Sequence, residues 1–136
     1  MMFIRAIIVL LVAFLFVACS SAAPSALINR QWQLIEIRGQ PPIAAGQSVT
    51  IQFNPTDRVS GFAGCNGFSG QYRVAGATIT VSKVTSTMMA CADDAVTAQE
   101  MAFHQALSDA TRYELTAGIL SLLDRNGVVV LRFQAA

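Results

Sequence analysis

Apolar residues alternate with polar ones along much of the chain, which is the spacing of a half-buried β-strand. The clearest example is the segment 49–53 (VTIQF), in which Val49, Ile51 and Phe53 share one face. The dipeptide Asn126-Gly127 lies between two apolar runs and indicates a β-hairpin. The same pattern predicts further strands at 32–37, 58–62, 70–74, 78–82, 112–116, 119–123 and 128–133.

One segment has helical spacing instead, and we predict a helix from about Thr97 to Ala110. Thr97 and Glu100 match a capping box at its start. Asp93 and Asp94 lie just before it, where negative charge is favourable, and we interpret them as caps rather than as a catalytic pair. The predicted buried stripe consists of Val96, Phe103, Leu107 and Ala110.

The order of the elements is strands, one helix and then more strands, which predicts an α+β fold that is mainly antiparallel β. We expect a curved or barrel-like sheet with the one main helix packed on it. The 136 residues are enough for one domain, which we place at 27–136. Trp32, Tyr72 and Tyr113 are expected to anchor its core.

The N-terminal residues 1–18 have the features of an export signal. Arg5 precedes an apolar run at 6–18, which is the length of a signal-peptide core and too short to cross a bilayer as a helix. The run ends at Ala18, a small residue directly before a cysteine. The sequence therefore predicts that the chain is exported.

The cysteine at the end of this signal resembles the lipidated residue of a bacterial lipobox. We expect acylated Cys19 to anchor the chain in the lipid bilayer, with 19–26 as a short tether. Ser20, where an aspartate would favour inner-membrane retention, predicts the periplasmic face of the outer membrane if the source is Gram-negative. A plain secretory signal that is cut after Ala22 or Ala23 is the alternative.

The charge of the exported chain narrows the class of partner. Residues 19–136 carry equal numbers of basic and acidic side chains. A nucleic-acid-binding protein needs a clustered basic face, so we expect no nucleic-acid partner. The balance also gives no reason to expect electrostatic docking on anionic lipid.

A glycine-rich segment, Gly61–Gly70 (GFAGCNGFSG), has a glycine at every third position. It does not match a phosphate-binding loop, because no Gly-Lys-Ser/Thr sequence follows, and it is one residue short of a nucleophile elbow. We predict a tight, irregular loop in which the backbone needs positive φ or close approach.

Cys65 and Cys91 are the two thiols that remain if Cys19 is acylated. Paired cysteines in an exported protein usually oxidise, so we predict a structural disulfide. A zinc site would need more ligands than these two and the single histidine, His104. A redox pair would favour the Cys-x-x-Cys spacing, which is absent. We therefore predict no metal and no cofactor.

Three motifs occur in order along the chain. They are Trp32-x-Leu34, then Val59-Ser60-Gly61-x-x-Gly64-Cys65-Asn66-x-x-x-Gly70-x-Tyr72, then Ser86-Thr87-x-Met89-Ala90-Cys91. Together they resemble the META domain, the HslJ-like family of bacterial envelope proteins, over about 27–134. The resemblance implies a small domain associated with heat or antibiotic stress and envelope maintenance, with no established catalytic activity.

No residue stands out as catalytic. We expect His104 to be a solvated helix residue, because no thiol or serine is placed beside it by the sequence. Met88 and Met89 could contact an apolar ligand or a metal, but the stronger expectation is that they fill the core beside the disulfide.

Two hypotheses for function follow. The first is a non-catalytic envelope lipoprotein that acts in stress tolerance or envelope maintenance by binding an unidentified envelope protein or ligand. The alternative is a secreted or surface-anchored inhibitor of a hydrolase that inserts the Gly61–Gly70 loop. In either case the candidate partner-binding residues are Gly64, Asn66, Phe68 and Ser69. For Asn66, a role in satisfying neighbouring backbone groups is slightly favoured over binding.

Overall fold

The strands expected from the alternating pattern are present in the computed structural model, which describes residues 23–136. The predicted signal peptide and Cys19 lie outside the described residues. Five strands precede the one helix of the described residues and three strands follow it. In chain order the elements are β1 (Gln31–Ile37), β2 (Thr50–Asn54), β3 (Arg58–Phe62), β4 (Gly67–Ala75), β5 (Thr78–Ser86), α1 (Asp94–Asp109), β6 (Arg112–Thr116), β7 (Ile119–Leu123) and β8 (Val129–Ala135).

Each strand pairs antiparallel with its neighbour in sequence, and β1 also pairs with β8. The sheet therefore closes on itself as a ring of eight strands. The predicted α+β fold with a barrel-like sheet is confirmed. The junction between β5 and β6 is the weakest in the ring, because its register contains one residue pair, Thr78 with Arg112. The second half of β5 extends past the start of β6 at Arg112.

The helix begins three residues earlier than predicted. Asp93 is its N-cap, and the Asp93 carboxylate accepts a hydrogen bond of 2.7 Å from the Ala95 amide. Thr97 lies inside the first turn, where its hydroxyl donates to the Asp93 carbonyl. The predicted capping box was therefore wrong, because an aspartate upstream already accepts from the free amides of the first turn. The interpretation of Asp93 as a cap is confirmed.

The interior of the ring is filled by large side chains. Trp32, Phe53 and Tyr72 are almost fully buried, as are Phe103 from α1 and Phe133 from β8. The predicted helix stripe is buried as well, and Gln99 is buried beside it. Burial of this apolar area supplies the main driving force for folding. Within residues 23–136, no helix is long and apolar enough to span a membrane.

Candidate functional site

The glycine-rich segment is mostly a paired β-hairpin rather than the predicted irregular loop. Strand β3 continues to Phe62 and β4 begins at Gly67, so the connection is limited to 63–66. Gly61 pairs with Phe68, and a Cβ on Gly61 would overlap the Thr50 carbonyl oxygen and the Phe68 ring. Gly64 has a φ of +106°, which explains the glycine within the turn. The glycine spacing therefore reflects packing and one turn, not a free loop.

The hairpin tip is tied to the segment before α1 by a disulfide between Cys65 and Cys91, whose Cα atoms are 5.9 Å apart. The predicted pairing is confirmed. The bridge closes a sequence separation of 26 residues, which includes all of β4 and β5. It fixes the entry of the helix against the tip of the hairpin.

Asn66 is the centre of a buried hydrogen-bond network at this tip, and 4% of its surface is exposed. The Asn66 amide and its Nδ2 each donate to a different carboxylate oxygen of Glu100, both at 2.8 Å. Its Oδ1 accepts from the Met89 amide at 2.8 Å and from the Thr87 hydroxyl at 2.9 Å. We call Asn66, Glu100 and the disulfide the locked corner.

Glu100 was assigned by sequence to the helix cap, yet it binds a residue 34 positions earlier in the chain. The carboxylate accepts two hydrogen bonds from Asn66, one of them from the main chain. Charge-assisted bonds of this kind are stronger than neutral ones. Together with the disulfide they join the hairpin, the pre-helix segment and α1. The preferred interpretation of Asn66, satisfaction of neighbouring backbone groups, agrees with this geometry.

A different environment surrounds residues 80–86 of β5, which pair with β4 on one side but have no partner strand on the β6 side; we call this part of the strand the β5 edge. The Ile79 amide donates to the Thr111 carbonyl and the Tyr113 amide to the Ala77 carbonyl. Among the described residues, no hydrogen bond joins the β5 edge to α1 or to β6. Val81 is half-buried, and the edge residues after it are exposed.

A cavity of about 310 Å³ lies between the β5 edge and α1. Its wall contains Val81, Val84, Ser108 and His104. His104 is half-buried rather than solvated as expected, because its ring packs against Phe68 and Phe103. Its Nε2 atom is buried and has no hydrogen-bond partner among the described residues. Burial lowers the pKa of His104 from its ordinary value, and the nearby Glu100 carboxylate opposes this shift.

Comparison with known proteins decides the family. A family model described as the META domain matches residues 25–136. The chain belongs to the META-domain family. No curated protein matches it.

Solved structures support the fold of this META domain. An NMR structure of a protein is 23% identical, with a TM-score of 0.66, and the match covers 82% of this chain and 93% of that one. An NMR structure of a protein from Burkholderia xenovorans is 24% identical, with a TM-score of 0.62, and covers 88% and 92%. A crystal structure of a DUF4847 family protein from Bacteroides vulgatus is 19% identical, with a TM-score of 0.52, and covers 63% and 57%. At these identities the likeness establishes the fold alone.

The four candidate partner-binding residues of this META domain do not form an exposed loop. Gly64, Asn66 and Phe68 are buried, and Phe68 packs on Phe103 of α1. Ser69 is half-buried, and its carbonyl accepts from the Thr85 hydroxyl. An inhibitory loop needs side chains that project from the domain surface into the hydrolase. The segment lacks that freedom because it is paired on both sides.

The methionines of the META domain are also placed differently from the prediction. Met88 and Met89 were expected to fill the core, but they are 97% and 62% exposed. The expectation of burial rested on apolar character alone. The Met89 amide donates a hydrogen bond to Asn66, and this bond fixes the backbone while the side chain stays exposed. Met101 on α1 is 69% exposed. It shares one side of the helix with His104 and Ser108, at i+3 and i+7 spacing.

One group in this META domain has the composition of a metal site. The sulfur atoms of Cys65 and Cys91 and a carboxylate oxygen of Glu100 lie within 4.8 Å of one another. The two sulfurs are bonded to each other, and metal ligation requires free thiolates. The carboxylate also accepts two bonds from Asn66. In this arrangement the three residues serve as structural links.

Proposed function

We propose that this META-domain protein is a non-catalytic, lipid-anchored component of the bacterial envelope that acts by binding another envelope protein. The supporting observation is the distribution of exposed apolar side chains. Among the described residues, six large apolar side chains are exposed. Four of them, Val84, Met88, Met89 and Met101, belong to the β5 edge, the segment after it, or α1. Exposed apolar side chains that concentrate in one region are typical of an interaction surface.

The polar groups that could have suggested catalysis support a structural role instead. The Glu100 carboxylate is engaged by Asn66 through both oxygens. His104 is surrounded by aromatic rings and by Val81, Val84 and serine side chains in the cavity wall. Among the described residues, no hydrogen bond links this imidazole to a hydroxyl or a carboxylate, as an activated nucleophile would require. We therefore favour binding over chemistry.

Anchoring rests on the N-terminal sequence. Replacement Cys19→Ser is expected to abolish acyl labelling and to release the protein from the membrane, because the residue that carries the lipid is absent. Metabolic labelling with a fatty-acid analogue, followed by membrane fractionation, checks this. Labelling and membrane attachment that persist in the variant would contradict the lipid anchor.

Photo-crosslinking in living cells tests the binding surface. A photoreactive amino acid at Met88 should crosslink to one defined envelope protein, because this side chain is fully exposed beside the β5 edge. The matched control is the same amino acid at Val128, which is 58% exposed in the β7–β8 turn. Equal crosslinking at both positions, or none at Met88, would count against a dedicated surface.

A further inference from the structure

The β5 edge is an open strand edge inside an otherwise closed ring. Its neighbour β6 begins at Arg112, opposite Thr78, so the rest of β5 has no hydrogen-bonded strand on that side. The Ile79 amide faces the β6 side, and the direction of the main-chain N–H and C=O groups alternates from residue to residue along a strand. The main-chain groups of Val81 therefore face the same side. An open edge offers main-chain donors and acceptors that a further strand can use.

The cavity beside this edge has a distinctive chemistry. Val81 and Val84 lie in its lining together with the serines Ser82, Ser86 and Ser108, and His104 lies beside them. The lining therefore combines apolar side chains with hydroxyl groups. A side chain with both a methyl group and a hydroxyl, such as that of threonine, would match this combination.

The charge beside the cavity indicates which type of strand would bind there. Lys83 is the charged residue in the cavity wall, and it has no ion pair among the described residues. Two acidic groups of the adjacent helix are occupied, since Glu100 binds Asn66 and Asp109 binds Arg38. The third, Asp94, lies in the first turn, ten residues before His104. If two copies of the β5 edge paired about its middle, their two Lys83 side chains would lie close together, which is unfavourable. The edge is therefore complementary to an acidic segment and not to a second copy.

We propose that the β5 edge binds an extended acidic peptide segment of a partner protein by strand addition. The segment pairs through its main chain with β5, and a threonine-like side chain enters the cavity next to His104. A carboxylate lies near Lys83. This inference rests on the proposed binding function and specifies where and how binding occurs.

The test uses the full mature lipoprotein in detergent micelles and fluorescence polarisation with labelled heptapeptides. The first probe alternates valine and threonine around a central glutamate. The second has lysine in place of the glutamate. The third is the acidic probe with methyl groups on the backbone nitrogens of alternate residues, and a fourth carries them on the other set. Strand addition requires that one methylated probe fails while the other binds, because alternate amides face β5.

Charge-reversal variants of the protein are the second part of the test. Lys83→Glu should weaken binding of the acidic probe by about tenfold or more and strengthen binding of the lysine probe, because like charges across an interface are strongly unfavourable. Arg125→Glu makes the same type of charge change in the exposed β7–β8 turn and should leave both affinities unchanged. Circular dichroism confirms that each variant is folded.

Three results would overturn the inference. These are no binding of the acidic probe at millimolar concentration, equal binding of both methylated probes, and equal effects of Lys83→Glu and Arg125→Glu. The proposed function fails separately, through the absence of a specific crosslink from Met88. A crosslink without peptide binding would leave the lipoprotein a binding protein that uses another mode.

Discussion

The locked corner and the β5 edge lie close together in the chain but treat their polar groups in opposite ways. At the locked corner, both polar atoms of the Asn66 side chain have partners, and a disulfide holds the hairpin to the helix entry. At the β5 edge, the main-chain groups on the β6 side and the Nε2 of His104 have no partner among the described residues. The comparison shows that the most conspicuous motif of the sequence joins the hairpin to the helix, whereas the less conspicuous segment after it carries the groups without partners, on which the proposed recognition rests.

Removal of the disulfide is the strongest way to break the locked corner. The double replacement Cys65→Ala with Cys91→Ala should lower the free energy of unfolding by about 3–4 kcal/mol, on the chain-entropy estimate for a loop of this length. Urea denaturation of the oxidised wild type and the variant measures this difference. An unchanged denaturation midpoint would show that the hydrogen bonds alone hold the corner.

Asn66→Ala tests the hydrogen bonds with the disulfide intact. The free energy of unfolding should fall by about 2–3 kcal/mol, because the half-buried Glu100 carboxylate loses one of its two donors and the Met89 amide loses its acceptor. The matched control is Asn126→Ala, which removes the same side chain at an exposed turn and should cost far less. Equal melting temperatures of the two variants would contradict the structural role.

The smallest expected effect concerns the pH dependence of stability, which reports on the protonation of His104 beside the cavity at the β5 edge. Because burial lowers its pKa, the unfolded chain binds the proton more readily than the folded one. The stability that results is present above the unfolded pKa of about 6.5 and is lost as the pH falls below it. His104→Gln should therefore flatten the decrease in melting temperature between neutral and mildly acidic pH. Parallel pH curves for wild type and variant would argue against burial of the imidazole.

Local signals predicted most of the sheet. The alternation at Val49, Ile51 and Phe53 and the turn at Asn126-Gly127 depend on neighbours in sequence, and the structure confirms the expected strands and hairpin. The helix stripe was found for the same reason. Its exact start was not, because two nearby residues could each cap it and the sequence alone did not rank them.

Long-range partners were the main source of error at the candidate site. Glu100 matched a local capping motif, and no short-range signal links it to Asn66 across 34 positions. Met89 is apolar, so burial was expected, but its amide donates to the buried Asn66 and its side chain is 62% exposed. The β5 edge was not recognised because a strand's sequence does not reveal where its neighbour begins. That β6 begins opposite Thr78 is visible only in the closed ring.

The point at which the chain enters the ring would set the orientation of the domain on a membrane if Cys19 is lipidated as proposed. Ile28 bridges to Phe53 near the end of β2, so the N-terminal segment lies at the end of the ring where β4 turns into β5. A lipid on Cys19 would hold that end near the bilayer, since Ala23 packs against the core and the four-residue step from Cys19 to Ala23 spans at most about 14 Å. The β5 edge runs from there toward the opposite end, and at about 3.3 Å per residue its far end stands well above the headgroups. A partner in the aqueous compartment could thus reach the edge without approaching the lipid.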